Sequence, residues 1–456
     1  MKIPLRHPAQ FTVSGFDGKK LLVLISIMVA TMMIDSEIGF VADFLAEMIS
    51  SPAGIALFIC IAVIFAVTQY FILGYVKKLR KESTTKALRL SLTHTAVTVA
   101  QYVLVAMIAL VIVQILVLSR YNTIILYPVI FISYGLWIVT LGLLSRALLS
   151  WYRSGIVQRT KKSKTVVLVL SLSMVAYVVF GIITLVTHVA ALQEQLSVVT
   201  SSDVAYFPPF EPEHFVSQIK ATLGVVSSIA YVLNWIGTIM LLSPYIQRLG
   251  QIKFWAIMGV VMVYYLASVP LFILGYFNPT GETDVDVMNN ILIFSVGAVL
   301  SGILFGAAFL SIARTLKQSS TLRNYMTIAG YGMVLFYVTL QAQVSQAAYP
   351  PFGLVSTACV GLSTYLIYVG LYSSAVIVSQ DLALRQSIRK SLTAQSKLLD
   401  SMGTAQLERE VQRRVLTIAK KVSDDMAEKT GVETSMNEDE IKDYIERVMR
   451  ELEGKR

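Results

Sequence analysis

Ten apolar stretches divide the first 380 residues of this 456-residue chain, and the connections between them alternate in charge. An α-helix rises about 1.5 Å per residue, so about 20 residues cross a hydrocarbon core of ~30 Å. The stretches lie roughly at 21–40, 54–76, 95–118, 123–145, 165–190, 221–243, 254–276, 291–313, 325–345 and 354–378. Each is long enough for that crossing, and none shows the polar face that a helix buried in a soluble domain needs. Apolar residues make up 55 % of the chain and charged residues 14 %, too little charge to cover a soluble protein of this length. A cleaved signal peptide is not expected. No small-x-small site follows the first apolar run, which ends in Met33-Ile34-Asp35-Ser36-Glu37.

The basic residues set the expected orientation. The N-terminus holds Lys2, Arg6, Lys19 and Lys20, and the second connection Lys77, Lys78, Arg80, Lys81, Lys86 and Arg89. The fourth holds Arg146, Arg153, Arg159, Lys161, Lys162 and Lys164, the sixth Arg248 and Lys253, and the eighth Arg314, Lys317 and Arg323. The intervening connections carry only Arg120 and Lys220. By the positive-inside rule the basic set faces the cytoplasm, so both termini are inside and the number of crossings is even. The expected fold is therefore all-α: a polytopic transmembrane helix bundle of about ten spans in a cell membrane, with both termini cytoplasmic. Residues 1–20 form a cytoplasmic segment, 21–380 the bundle, and 381–456 a cytoplasmic helical tail. The tail holds 15 basic and 15 acidic residues, so the net charge of +10 belongs to the membrane portion. It reports topology and attraction to an anionic inner leaflet, and nucleic-acid binding is not implied.

Few chemistry-bearing residues interrupt the apolar stretches. Cys60 and Cys359 are isolated within spans and read as small apolar residues. His7, His94, His188 and His214 have no second ligand at metal spacing, so no metal site and no cofactor is expected. Asp35 and Glu37 are the sharpest candidates, because ionisable groups inside spans are costly and often functional. They stand toward the outer end of the first span, either as a cation or ligand site opening outward or as carboxylates meeting headgroups. His188 reads as interfacial. Asn234, Ser227 and Ser228 in the sixth span, with Gln341, Gln343 and Gln346 in the ninth, either line a polar pocket with that pair or bond helix to helix.

Other features read as structural. Ala298, Gly302 and Gly306 repeat every fourth residue, a small-residue face for close helix packing. Pro128 and Pro270 are expected to kink the fourth and seventh spans, and Trp151 and Trp255 to sit at the inner interface. Two outer connections share a phrase: 205–210 read Ala-Tyr-Phe-Pro-Pro-Phe and 348–352 read Ala-Tyr-Pro-Pro-Phe. Paired prolines stiffen a chain, and Tyr206, Pro208, Pro209, Tyr349, Pro350 and Pro351 read either as a rigid outer rim or as coincidence.

The tail shows helical periodicity, with Leu407, Val411, Val415, Ile418, Val422 and Met426 spaced by threes and fours. Asn437 and Glu440 have the spacing of a capping box. These amphipathic helices need a cover: each other, a second copy of the chain, or a cytoplasmic protein. The tail has no histidine to accept a phosphoryl group, and the chain has no GxxxxGK[ST], G-x-S-x-G or H-E-x-x-H motif, so no enzyme activity is expected.

Three phrases carry a family likeness: Tyr349-Pro350-Pro351-Phe352-Gly353, Ser379-Gln380-Asp381-Leu382 leading into Leu384-Arg385, and Met402-Gly403-Thr404-Ala405. Together they resemble a group of uncharacterised archaeal multi-pass membrane proteins, over the last third of the chain. The resemblance implies an integral membrane protein of archaeal source and no activity. Two functions then stand against each other. The first is a non-catalytic sensor or scaffold that docks or signals to a partner through residues 381–456. The second is a secondary transporter with an outward-facing polar pocket around Asp35, Glu37, Asn234 and Gln341.

Overall fold

The computed structural model describes residues 18–40, 46–82, 88–153, 161–193, 198–200, 214–246, 250–273, 284–316, 320–340, 348–380 and most of 399–422. Helices account for nearly all of them. They are α1 (Gly18–Phe40), α2 (Ala46–Ile49), α3 (Pro52–Glu82), α4 (Leu88–Leu118), α5 (Leu126–Arg153) and α6 (Lys161–Gln193). Then follow α7 (His214–Leu242), α8 (Gln251–Ile273), α9 (Asp284–Thr315), α10 (Ser320–Thr339) and α11 (Leu354–Gln380). Among the described residues, eight helices are long and apolar enough to cross a membrane, and they coincide with eight of the ten stretches read from the sequence. The other two stretches fall on α8 and α10. α10 is a helix of 20 residues whose Asn324, Tyr325, Gly330, Tyr331 and Gly332 dilute its apolar character. It is nonetheless largely buried.

Contacts between helices fix their relative directions. Asp35 and Gly39 of α1 meet the start of α11, while His94 and Gln101 of α4 meet its residues Tyr365 and Ala358. Gly332 of α10 lies on Ile367, and Ala329 on Gly370. In all three pairs the numbers rise on one helix as they fall on the other, so α1, α4 and α10 run antiparallel to α11. α5 runs parallel to it, with Leu136 beside Gly361, Thr140 beside Thr364 and Trp151 beside Tyr372. The start of α1 therefore lies at the same end of the bundle as the close of α11. The basic residues Arg80 and Lys81 (α3), Arg153 (α5) and Arg314 (α9) sit in the last turns of helices running toward that basic end.

The opposite end carries a feature that periodicity did not forecast. β1 (Arg120–Asn122) pairs antiparallel with β2 (Val198–Thr200), joining the α4–α5 connection to the segment after α6. Both segments had been expected on the outer side, and their pairing requires one face for both. Pro128 is not a kink. It occupies the first turn of α5, where the missing N–H has no helical partner to lose.

α11 is the centre of the bundle. All of its residues are buried except Tyr372, Ile377 and Gln380. It packs chiefly on α10 and α5, with α1, α4 and α3 completing the ring. Its composition explains the position. Ser356, Ala358, Gly361, Ser363, Gly370, Ser374 and Ala375 are small, and small residues let neighbouring backbones approach. The hydroxyls of Ser363, Thr364, Ser374 and Ser379 donate to carbonyls three or four residues back on α11, so they reach the interior already satisfied. The expected packing stripe is found on α9. A Cβ on Gly302 would lie 3.1 Å from the Val334 Cα, and one on Gly306 would lie 2.7 Å from the Gly330 carbonyl oxygen. Ala298 is buried one turn earlier on the same helix.

Candidate functional site

The two ends of the central helix carry most of the polar detail of the bundle. At the ribbon end, Gly353 turns the chain into α11 with φ +83°, a conformation that only glycine takes without strain. Glycine has no side chain to cap the helix that follows. Asp35, from α1, supplies the missing cap: its Oδ2 accepts from the Ser356 N–H at 2.7 Å, and the Ser356 hydroxyl donates back to the Met32 carbonyl at 2.9 Å. The carboxylate thus meets the positive end of the helix dipole. The approach is close because Gly39 lies against the same turn, where a Cβ would stand 2.9 Å from the Gly353 nitrogen and the Phe352 carbonyl oxygen.

This corrects the reading of Asp35 as a carboxylate meeting headgroups: it is fully buried. Glu37 is half-buried on the same helix. The rim reading of the second Pro-Pro phrase also changes, since Tyr349, Pro350 and Pro351 are buried rather than presented outward. The Tyr349–Pro350 peptide is cis. The Tyr121 hydroxyl donates to the Ala348 carbonyl at 2.8 Å, the Tyr121 and Tyr349 rings stack, and Phe352 meets Phe58 edge-on. Burial pushes the Tyr121 hydroxyl well above the usual phenol range, so it remains a neutral donor. The phrase is a plug that ties the start of α11 to β1 and α3. Tyr206, Pro208, Pro209 and Gln341 lie outside the described residues, as do Gln343 and Gln346.

Asn234 belongs to a different network. Its Nδ2 donates to the Tyr337 hydroxyl at 3.2 Å, and Tyr337 in turn bonds Tyr177. Tyr231 bonds Ser301 and stacks flat on Tyr265, with ring centroids 3.6 Å apart. These residues tie α6, α7, α8, α9 and α10 together through hydroxyls that each find a partner, the pattern of inter-helix bonding. The structure therefore bonds Asp35 to α11 and Asn234 to α10. His188 is buried rather than interfacial, with its Nε2 3.1 Å from the Tyr134 hydroxyl.

At the basic end the tail returns to the bundle. Leu399, Met402 and Ala405 are fully buried. Gly403 packs so closely on α11 that a Cβ there would stand 2.8 Å from the Val378 Cβ. Trp151, expected at the interface, is instead buried and donates its Nε1–H to the Gln406 Oε1 at 3.0 Å. Trp255 is half exposed. Beyond the docked turn, Val415, Ile418 and Val422 are exposed.

Sequence reading passed over Gln69, Gln101, Gly403 and the small-residue composition of the last span. Each left a signal: an amide inside an apolar run, or glycine and hydroxyl residues where leucine would be the ordinary choice. Among the described residues no group of three His, Cys, Asp or Glu side chains is arranged to hold a metal ion.

The fold and these contacts define a membrane-embedded, all-α polytopic helix bundle organised around one buried helix. No protein-family model, no functionally described protein and no solved structure matches the chain.

Proposed function

We propose that the chain is a non-catalytic membrane sensor or scaffold, with ten crossings and both termini in the cytoplasm. Its central helix couples the outer end of the bundle to the cytoplasmic tail, which docks a partner. The observation that carries this reading is α11 itself. One buried helix is capped by Asp35 at the ribbon end and held by Gly403 and the Trp151–Gln406 bond at the other. A shift of a packed helix along its axis is a known means of moving a signal across a membrane-sized distance. The positive-inside rule assigns the basic end to the cytoplasm, which places the tail there too. A transporter calls for polar groups gathered on one pathway, and the bonds of Asp35 and Asn234 run to different helices instead.

Coupling is testable as a distance. Spin labels at Arg146 and Arg414, both exposed, report how the tail sits beneath the bundle. The Asp35→Ala variant, in nanodiscs, is expected to shift or broaden that distance distribution. An unchanged distribution in a folded variant rules out coupling through α11. Uptake of a solute into proteoliposomes that disappears in Asp35→Asn would establish the transporter instead.

A further inference from the structure

We infer that the tail helix, beyond its docked turn, lies along the bilayer face at the basic end of the bundle, where its apolar stripe enters the lipid and its cations meet anionic phospholipid headgroups. The inference goes beyond the relay reading and does not depend on which membrane face is cytoplasmic. The described residues between Met402 and Ile418 are helical. At 3.6 residues per turn, Leu407, Val411, Val415, Ile418 and Val422 fall within about 80° of one another around the helix axis. Burial falls along that stripe. Leu407 and Val411 are half-buried, whereas Val415, Ile418 and Val422 are exposed, Ile418 by 63 %. Three aliphatic side chains in a row on one helix face call for a cover.

Charge and place together say what that cover is. Residues 407–422 hold Arg409, Arg413, Arg414, Lys420 and Lys421 against Glu408 and Glu410. Arg413 and Arg414 are exposed, and the Arg414–Glu410 pair is open to solvent and so binds weakly. Such an excess repels a second copy of the same helix and attracts an anionic surface. An apolar stripe on a helix rich in Lys and Arg is the pattern of a helix lying in the headgroup region. The docked turn fixes the place. Gly403 packs on Val378 and Gln406 bonds Trp151, in the last turns of α11 and α5, both long and apolar enough to span. The helix therefore starts at the bilayer face. At 1.5 Å per residue it covers about 25 Å from Ala405 to Val422, and the tether makes contact with lipid an intramolecular event.

The test is the collision of a nitroxide with oxygen, which concentrates in lipid, and with a water-soluble nickel chelate. The label is attached through Ile418→Cys or Thr417→Cys on the full-length protein carrying Cys60→Ser, because Cys60 is exposed and Cys359 is buried. In nanodiscs of phosphatidylcholine mixed with phosphatidylglycerol, the label at 418 is expected to favour oxygen. The label at 417, exposed and about 100° around the helix, is expected to favour the chelate. Pure phosphatidylcholine is expected to shift the 418 label toward the chelate, and so is Arg413→Gln with Arg414→Gln in the anionic discs. A 418 label that favours the chelate in both lipids overturns the proposal. So does a 418 label shielded from both probes, which would put a second copy or another segment of protein on the stripe. A lipid response left unchanged by the paired Arg→Gln variant also overturns it.

Discussion

Adding a single methyl group to the tail is expected to loosen it without disturbing the bundle. In Gly403→Ala the new Cβ would stand 2.8 Å from the Val378 Cβ and 3.1 Å from the Val378 carbonyl carbon, closer than Cβ atoms ordinarily approach such neighbours. Val378 cannot yield, because α11 is packed along its length. The tail must move instead. It is held by the buried side chains of Leu399 and Met402, each contributing about 1.5–3 kcal/mol. Overpacking by one carbon costs about 1–3 kcal/mol, so the turn is weakened rather than released. That cost raises the undocked population roughly 5- to 150-fold. Hydrogen exchange read by mass spectrometry on peptides covering 399–406 is expected to show protection falling by that factor, while peptides from α5 and α11 are unchanged. Gly403→Leu is expected to remove the protection altogether. Wild-type protection of 399–406 in both variants would refute the docking argument, and so would an equal loss across α11.

Two further perturbations address the bundle and its orientation. Gly306→Leu forces a side chain onto the Gly330 carbonyl oxygen and Val334 Cγ2, which a Cβ alone would meet at 2.7 and 2.9 Å, and is expected to lower stability by about 3 kcal/mol or more in thermal melts. Gly135→Ala is the control, since nothing lies within 4 Å of its added Cβ, and equal melting of the two variants would dismiss the packing account. Arg120 and Thr200 are paired across β1 and β2. The double variant Arg120→Cys with Thr200→Cys is expected to cross-link in intact cells under a membrane-impermeant oxidant, and cross-linking only after permeabilisation would invert the orientation.

Asp35 marks the boundary between what was legible and what was not. Its cost inside an apolar run was evident from composition, but its partner is the backbone of a residue 321 positions later. No local pattern encodes that contact. The Tyr349-Pro350-Pro351 phrase was conspicuous in the sequence, but its burial was not legible there, since stiffness and aromatic content are the same in a rim and in a plug. Asn234 looked like a companion of Asp35 because both are polar and intramembrane, and the helix arrangement gave them different partners. Gly403 stood out only as a small residue in the Met402-Gly403-Thr404-Ala405 phrase, and its contact with Val378 is made across a separation that no local pattern encodes.

The long apolar helices were legible in the sequence alone, since the length and apolarity of a segment decide locally whether it can cross a bilayer. The same local rule gave the alternation of direction, as each charged connection prefers one face. It also supplied the small-residue stripe of Ala298, Gly302 and Gly306, because helical spacing alone puts them on one face. Which helix is central emerged from the packing. Apolar helices in lipid all satisfy their own backbones, so the choice falls to close packing and inter-helix bonds. Those depend on which small residues, hydroxyls and amides meet across distances that no local pattern specifies.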